Sequence, residues 1–233
     1  MKVAAIQSNY IPWKGYFDMI NLADLFVFYD DVQYTKKDWR NRNLIKTPNG
    51  LIWLTVPCNS TREQKIFEVE ITNSGWQTKH WRSIELNYSK APFFNRYKSV
   101  FKEVYFLKSW EFISELNQYL IKFISKEILK SKTHFADSRI YGLTGRKEER
   151  VLDLLKKCGA TEYICGPSAK SYINEKIFLK EGIKIKWMDY SGYPEYRQLY
   201  PPFCHEVSII DLIFNEGPEA GRFMKSFIRE KEI

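Results

Sequence analysis

KVAAIQSNYIPWKGYFDMINLADLFVFYDD, residues 2–31, is the stretch that sets the fold class. Residues 2–7, KVAAIQ, are a short apolar run of the kind that a strand buried on both faces requires. Ser8-Asn9-Tyr10 interrupts it with polar groups. Pro12 has the fixed φ that suits a first helical turn. Tyr16, Phe17, Ile20 and Ala23 then recur at helical spacing, so 12–23 reads as a helix. Leu25 to Tyr29 is a second apolar run and ends on Asp30-Asp31. Strand, turn, helix and strand within about 30 residues make a βαβ unit. Its second strand delivers Asp30 and Asp31 to the carboxyl edge of a sheet, where open α/β sheets place their ligands.

Beyond this unit, residues 32–43 (VQYTKKDWRNRN) are polar, aromatic and basic without periodicity and read as a loop. Pro48-Asn49-Gly50 marks a tight turn, because Asn-Gly tolerates positive φ, and the flanking parts of 44–58 form a hairpin. IFEVEI (66–71) alternates like a strand. Helices are predicted over 75–89, 92–105 and 109–130, the last with Phe112, Leu116, Tyr119, Leu120, Phe123 and Ile124 on one side. A second α/β portion follows. It has a short strand at 138–140, a helix at 145–158 closing on Lys156, Lys157 and Gly159, and a strand at 163–165. Gly166-Pro167-Ser168 then breaks the chain before a helix at 168–181 and a strand at 183–188. A proline-rich loop (194–204) and helices near 208–215 and 217–229 complete it. The expected fold is a single α/β domain over 1–233. Its core is a Rossmann-like, mostly parallel sheet with flanking helices and a hairpin-and-helix insertion near 44–130.

Composition removes several classes. The 233 residues are 44% hydrophobic and 16% aromatic, too apolar for a disordered chain. No apolar run approaches the roughly 20 residues of a membrane span, and the N-terminus lacks a long apolar core and cleavage site, so a soluble, cytoplasmic protein is expected. The four cysteines (Cys58, Cys158, Cys165, Cys204) form no CxxC pair, and the three histidines (His80, His134, His205) have no zinc-ligand spacing, so no metal is expected. Lys and Arg total 36 against 28 Asp and Glu, a net charge of +8. These cations are interleaved with acids and aromatics rather than run together, which favours a local anion site over a nucleic-acid stripe.

Four stretches hold candidate chemistry. In the 30–43 loop, Arg40 and Arg42 suit bidentate phosphate contacts, Tyr34 or Trp39 suit stacking on a base or sugar, and Asp30, Asp31, Gln33, Lys36 and Asn43 add polar groups. In the first turn, Asn9 and Tyr10 precede Lys14 and Gly15, where charge and close backbone approach suit an anion; the alternative is a packed loop around Trp13 and Tyr16. His80 lies on a helix between Trp76 and Trp81 as a general base or as a packed core histidine; His205, beside Glu206, and His134 carry weaker signals. Ser168 and Tyr172, at and after the Gly166-Pro167-Ser168 break, suit an anion site or a serine nucleophile, with Ser168 better suited to cap a helix.

The same segments resemble the WbqC-like protein family. The carrying residues are QSNYIPWKGYFDMINLADLFVFYDDVQYTKKDWRNRN (7–43), IKTPNGLIWLTVPC (45–58), KHW to NYSKAPFF (79–94), YICGPSAKSYI (163–173), PEYRQLYPPF (194–203) and SIIDLIFNEGP (208–218). Such proteins are encoded among genes for surface-polysaccharide sugars, so the resemblance implies a role on nucleotide-linked amino sugars such as those of O-antigen. The start of the chain is also distantly similar to pantothenate-synthetase-like nucleotidylyltransferases. Their HxGH motif would fall on Trp13-Lys14-Gly15-Tyr16, where only the glycine matches.

The resulting expectation is an acyl- or aminoacyl-transferase that forms an amide on the amine of a nucleotide-linked amino sugar. Phosphates would lie near Lys14, Arg40 and Arg42, and His80 or Asp31 would deprotonate the attacking ammonium. Without the two histidines of HxGH, the acyl group would arrive activated, for example as a carrier-protein thioester. The alternatives are an ATP-dependent nucleotidyltransferase or amide ligase, with ATP as cosubstrate, and a non-catalytic sugar-nucleotide-binding protein. Partners are thus the nucleotide-linked amino sugar and an acyl carrier protein, with no nucleic acid, and the sequence leaves the oligomeric state open.

Overall fold

The computed structural model describes residues 1–61 and 63–227. The opening βαβ unit folds as the sequence predicts: β1 (Lys2–Ile6), α1 (Lys14–Leu22) and β2 (Leu25–Phe28). Three more strands join them, β7 (His134–Asp137), β8 (Glu162–Cys165) and β9 (Lys184–Trp187). The five pair in parallel in the order β7-β2-β1-β8-β9. The chain therefore builds outward from β1 in one direction, then returns past it to build in the other. This reversal opens a crevice between the carboxyl ends of β1 and β8, the place where such sheets hold ligands.

Between β2 and β7 the chain inserts two small antiparallel pairs and three helices. The pairs are β3 (Arg42–Thr47) with β4 (Gly50–Thr55), and β5 (Cys58–Asn59) with β6 (Glu70–Ile71). The helices are α2 (Trp76–Tyr88), α3 (Phe94–Phe106) and α4 (Ile113–Phe123). On the other side of the sheet lie α5 (Lys147–Lys157) and α6 (Glu175–Lys180), and α7 (Ile209–Glu216) packs among the inserted helices.

Strand alternation splits the core in two. Ala4, Phe26, Phe28 and Ile164 face α1 and the insertion; Val3, Val27, Tyr163 and Cys165 face α5 and α6. The larger cluster runs without a break from Phe17 and Phe26 through Ile45 and Trp81 to Phe101, Leu116 and Phe214.

Several predicted elements differ. Residues 66–71 form a 3-10 turn (Ile66–Glu68) before the two-residue β6, because their backbone is bound elsewhere: Ile66 and Phe67 donate to Val32 and Asp30, and Ile71 to Glu111. The strand expected at 138–140 lies wholly before it, at His134–Asp137, and Ser138–Tyr141 is a 3-10 turn started by the Asp137 side chain. The helix expected at 168–181 is a 3-10 turn (Pro167–Ser171) and then α6, which the Asn174 side chain caps. Ser168 is thus not the cap; Gly166 precedes that turn, with Pro167 in its first position. The helix expected at 109–130 is α4, from Ile113, followed by a π-turn at Ile124–Ile128. The final stretch is two 3-10 turns, Gly217–Phe223 and Lys225–Phe227, and residues 228–229 of the helix expected there lie outside the described residues.

Candidate functional site

The loop after β1 is pinned from below and from one side. Ser8 donates its N–H to Asp30 Oδ1 at 2.7 Å, and Asp30 also accepts from Ser114 Oγ at 2.5 Å and Gln118 Nε2 at 3.3 Å. Burial pushes the Asp30 carboxyl up, and these donors pull it back. Asp30 is therefore a buried anchor. Ile11 sits at φ 36, a left-handed conformation that costs a β-branched residue about 1–3 kcal/mol. Asn43 fixes this turn by donating to the carbonyls of Tyr10 and Ile11, both at 3.0 Å. Arg40 closes the loop from above, donating to Asn9 Oδ1 at 2.6 Å and to Gln7 Oε1, with Asp38 at 3.6 Å.

A cleft of about 570 Å³ opens beside this loop. Its walls carry Trp13, Trp39, Tyr190 and His205, with Asn9 and Glu206 at the polar edge. Trp13 and Tyr190 meet edge to face at 5.1 Å. The 205–208 segment reaches the cleft because Ser208 donates to the Leu44 carbonyl and Ile209 to the Pro12 carbonyl, each at 2.9 Å. These bonds lay the segment between the hairpin and the start of α1.

Lys14 is not among the residues that line this cleft. The residue is 2% exposed. Its Nζ donates to the Pro194 carbonyl at 2.9 Å and rests 5.1 Å from the ring of Tyr193 and 5.3 Å from that of Tyr196. Burial lowers its pKa to about 8, against the pull of Asp18 and Glu195. His205 is pushed down too, first by burial and then by the Lys14 charge. Its Nδ1 is buried with no hydrogen-bond partner. Burial therefore favours the neutral ring.

The predicted residues divide. Asn9, Trp39 and Asn43 line the cleft, and Asp31, Gln33 and Tyr172 line a second cavity. His80 goes to neither. Its Nδ1 accepts from the Tyr10 hydroxyl at 2.9 Å and its Nε2 donates to the Thr55 carbonyl at 3.1 Å. Burial drives its pKa down to about 4. Tyr105 completes the chain, 2.6 Å from the Tyr10 hydroxyl. His80 is thus a core histidine with both nitrogens in use.

The expected phosphate cradle is likewise occupied. Lys14 is caged, Arg40 braces the loop, and Arg42 lies 4.2 Å from the ring of Trp53 while donating to the Lys37 carbonyl. Tyr34 is buried, and Lys36 and Ser168 are exposed away from both cavities. Gly15 does permit close approach, but of the Trp13 ring: a Cβ there would lie 2.3 Å from it. Trp13, Tyr190, His205 and Glu206 are the cleft residues that sequence reasoning passed over. The one signal was a histidine beside a glutamate in an aromatic loop; the bonds that bring it to the cleft join Ser208 to Leu44 and Ile209 to Pro12, far apart in the chain.

All four cysteines are free. Among the described residues no group of three or more His, Cys, Asp or Glu is placed to hold a metal ion, and no helix is long and apolar enough to cross a membrane.

Comparison with known proteins adds the family. The chain is 45% identical over 226 residues to the uncharacterized protein Rv1507c of Mycobacterium tuberculosis, an alignment covering 96% of this chain and 97% of that one. No solved structure matches it. The model of the WbqC-like protein family matches residues 7–223, and the chain belongs to that family.

Proposed function

We propose that this protein is an acyl- or aminoacyl-transferase that forms an amide on the amine of a nucleotide-linked amino sugar, and that His205 is its general base. The supporting observation is a neutral, partly orphaned imidazole at the wall of an aromatic cleft, beside the turn that leaves the carboxyl end of β1. Trp13, Trp39 and Tyr190 offer faces for a sugar ring, and the Glu206 carboxylate suits an incoming ammonium.

The donor in this reading is a thioester, such as an acyl group on a carrier protein. An ammonium has no lone pair, so one proton must first pass to a ring nitrogen of His205. The nitrogen then attacks the thioester carbonyl, the C–N bond forms and the C–S bond breaks. The second proton ends on the departing thiol, and His205 returns the first to water. The lowered pKa of His205 keeps it in the accepting form at neutral pH. The ATP-dependent alternative is less well supported, since the turn where HxGH would stand holds a caged lysine and a packed tryptophan.

The test is incubation with dTDP-linked amino sugars and a panel of acyl and aminoacyl thioesters, read by mass spectrometry. An amide product with wild-type protein, lost in His205→Ala, is expected. No product across the panel, or pyrophosphate release from ATP with a free carboxylate, would overturn the assignment.

A further inference from the structure

A second cavity, of about 850 Å³, opens at the same carboxyl edge of the sheet. Tyr29 lines it and packs with the core under α5 and α6, whereas Trp13 and Tyr190 of the cleft pack with the core under α1. The two cavities therefore lie on opposite faces of the sheet.

Three cations and one carboxylate line this second cavity. The carboxylate, Asp31, is committed: it accepts from Ser138 Oγ at 2.5 Å and pairs with Arg150. Arg150 is fixed in turn, donating its other amino group to the Leu143 carbonyl at 2.8 Å. Arg146 and Lys147 are adjacent, exposed and without an acid partner among the described residues. Two uncompensated positive charges thus face a cavity whose only acid among the described residues is already neutralised. Tyr172 is 61% exposed at the same wall, and Tyr29 is half-buried there. Cations that converge with accessible aromatic rings match a ligand that is part anion and part ring.

We propose that this second cavity binds a nucleoside diphosphate, with Arg146 and Lys147 on the phosphate oxygens and Tyr172 against the base. Arg150, paired with Asp31, closes the wall behind the phosphates without adding net charge. The site goes beyond the acyl-transfer reading and does not rest on it, because its occupancy is measured with neither amine nor acyl donor present.

The test is isothermal titration of the full chain at low salt with UDP, ADP and inorganic pyrophosphate. At least one nucleoside diphosphate should bind, and the double variant Arg146→Ala, Lys147→Ala should weaken it by about tenfold or more. Tyr172→Ala should weaken the nucleoside diphosphate but leave pyrophosphate unchanged, and His205→Ala should change neither. Thermal unfolding of each variant checks that the fold is intact. The proposal fails if no probe binds at millimolar concentration, or if the double variant binds as wild type does. It also fails if Tyr172→Ala has no effect, or if His205→Ala loses as much affinity as the double variant.

Discussion

His205 and His80 have the same side chain in different surroundings. Each is pushed toward its neutral form by burial, but His80 has both nitrogens bonded inside the protein, whereas His205 leaves Nδ1 without a partner beside a cleft. The His80 environment has a measurable consequence for stability. Its pKa falls from 6.5 to about 4 on folding, so between those values the unfolded chain binds a proton that the folded chain refuses. The stabilisation is complete above pH 6.5 and is lost as pH falls toward 4, by about 3 kcal/mol in total. Urea unfolding at pH 7 and pH 4.5 should therefore show a steeper loss for wild type than for His80→Gln. Asp30 and Asp211, whose carboxyls burial pushes up, are common to both proteins and cancel in the difference. Equal losses would mean that His80 is not held neutral.

At the scale of elements, the turn from β1 into α1 carries the site, and Gly15 is its tightest point. The Trp13 ring lies against the Gly15 Cα, where a methyl group would meet it at 2.3 to 2.7 Å. Gly15→Ala should push Trp13 out of the cleft wall while leaving α1 intact, since alanine is a better helix former. The expected result is activity lowered by tenfold or more, roughly 1.4 kcal/mol in transition-state binding, with a circular dichroism spectrum unchanged from wild type. Activity equal to wild type would show that Trp13 does not shape the site. The sheet elements were legible because buried parallel strands and an amphipathic helix leave strong periodic marks, as in KVAAIQ and LFVFY. IFEVEI had the marks of a strand and became a turn, because its backbone donors are taken by Val32, Asp30 and Glu111. Alternation reports that two faces differ, but it does not report which backbone will pair.

In the whole molecule, the insertion shares a hydrophobic core with the sheet. One apolar cluster joins the sheet face to the hairpin, α2, α3, α4 and α7, and the Asp211 carboxylate of α7 accepts from Tyr88 of α2 at 2.8 Å and Tyr196 of the tail at 2.7 Å. The chain should therefore unfold in one cooperative thermal transition, with calorimetric and van't Hoff enthalpies equal. Two resolved transitions would mean that residues 44–130 fold apart from the sheet. The same closure explains what the sequence hid. Lys14, Arg40 and Arg42 looked like a phosphate cradle because they share a basic, aromatic neighbourhood in sequence. Their partners Pro194, Asn9 and Trp53 come from elsewhere in the fold, and so does His205. Basic residues mark where charge exists; only the assembled molecule shows which charges are already answered.

The most direct measurement is single-turnover amide formation from a nucleotide-linked amino sugar and a thioester, compared for wild type, His205→Ala and His80→Gln. The expected result is a product in wild type and in His80→Gln and a loss of at least about a hundredfold in His205→Ala, the scale of general-base catalysis. Turnover by His205→Ala at the wild-type rate, or loss in His80→Gln alone with its fold intact, would contradict it.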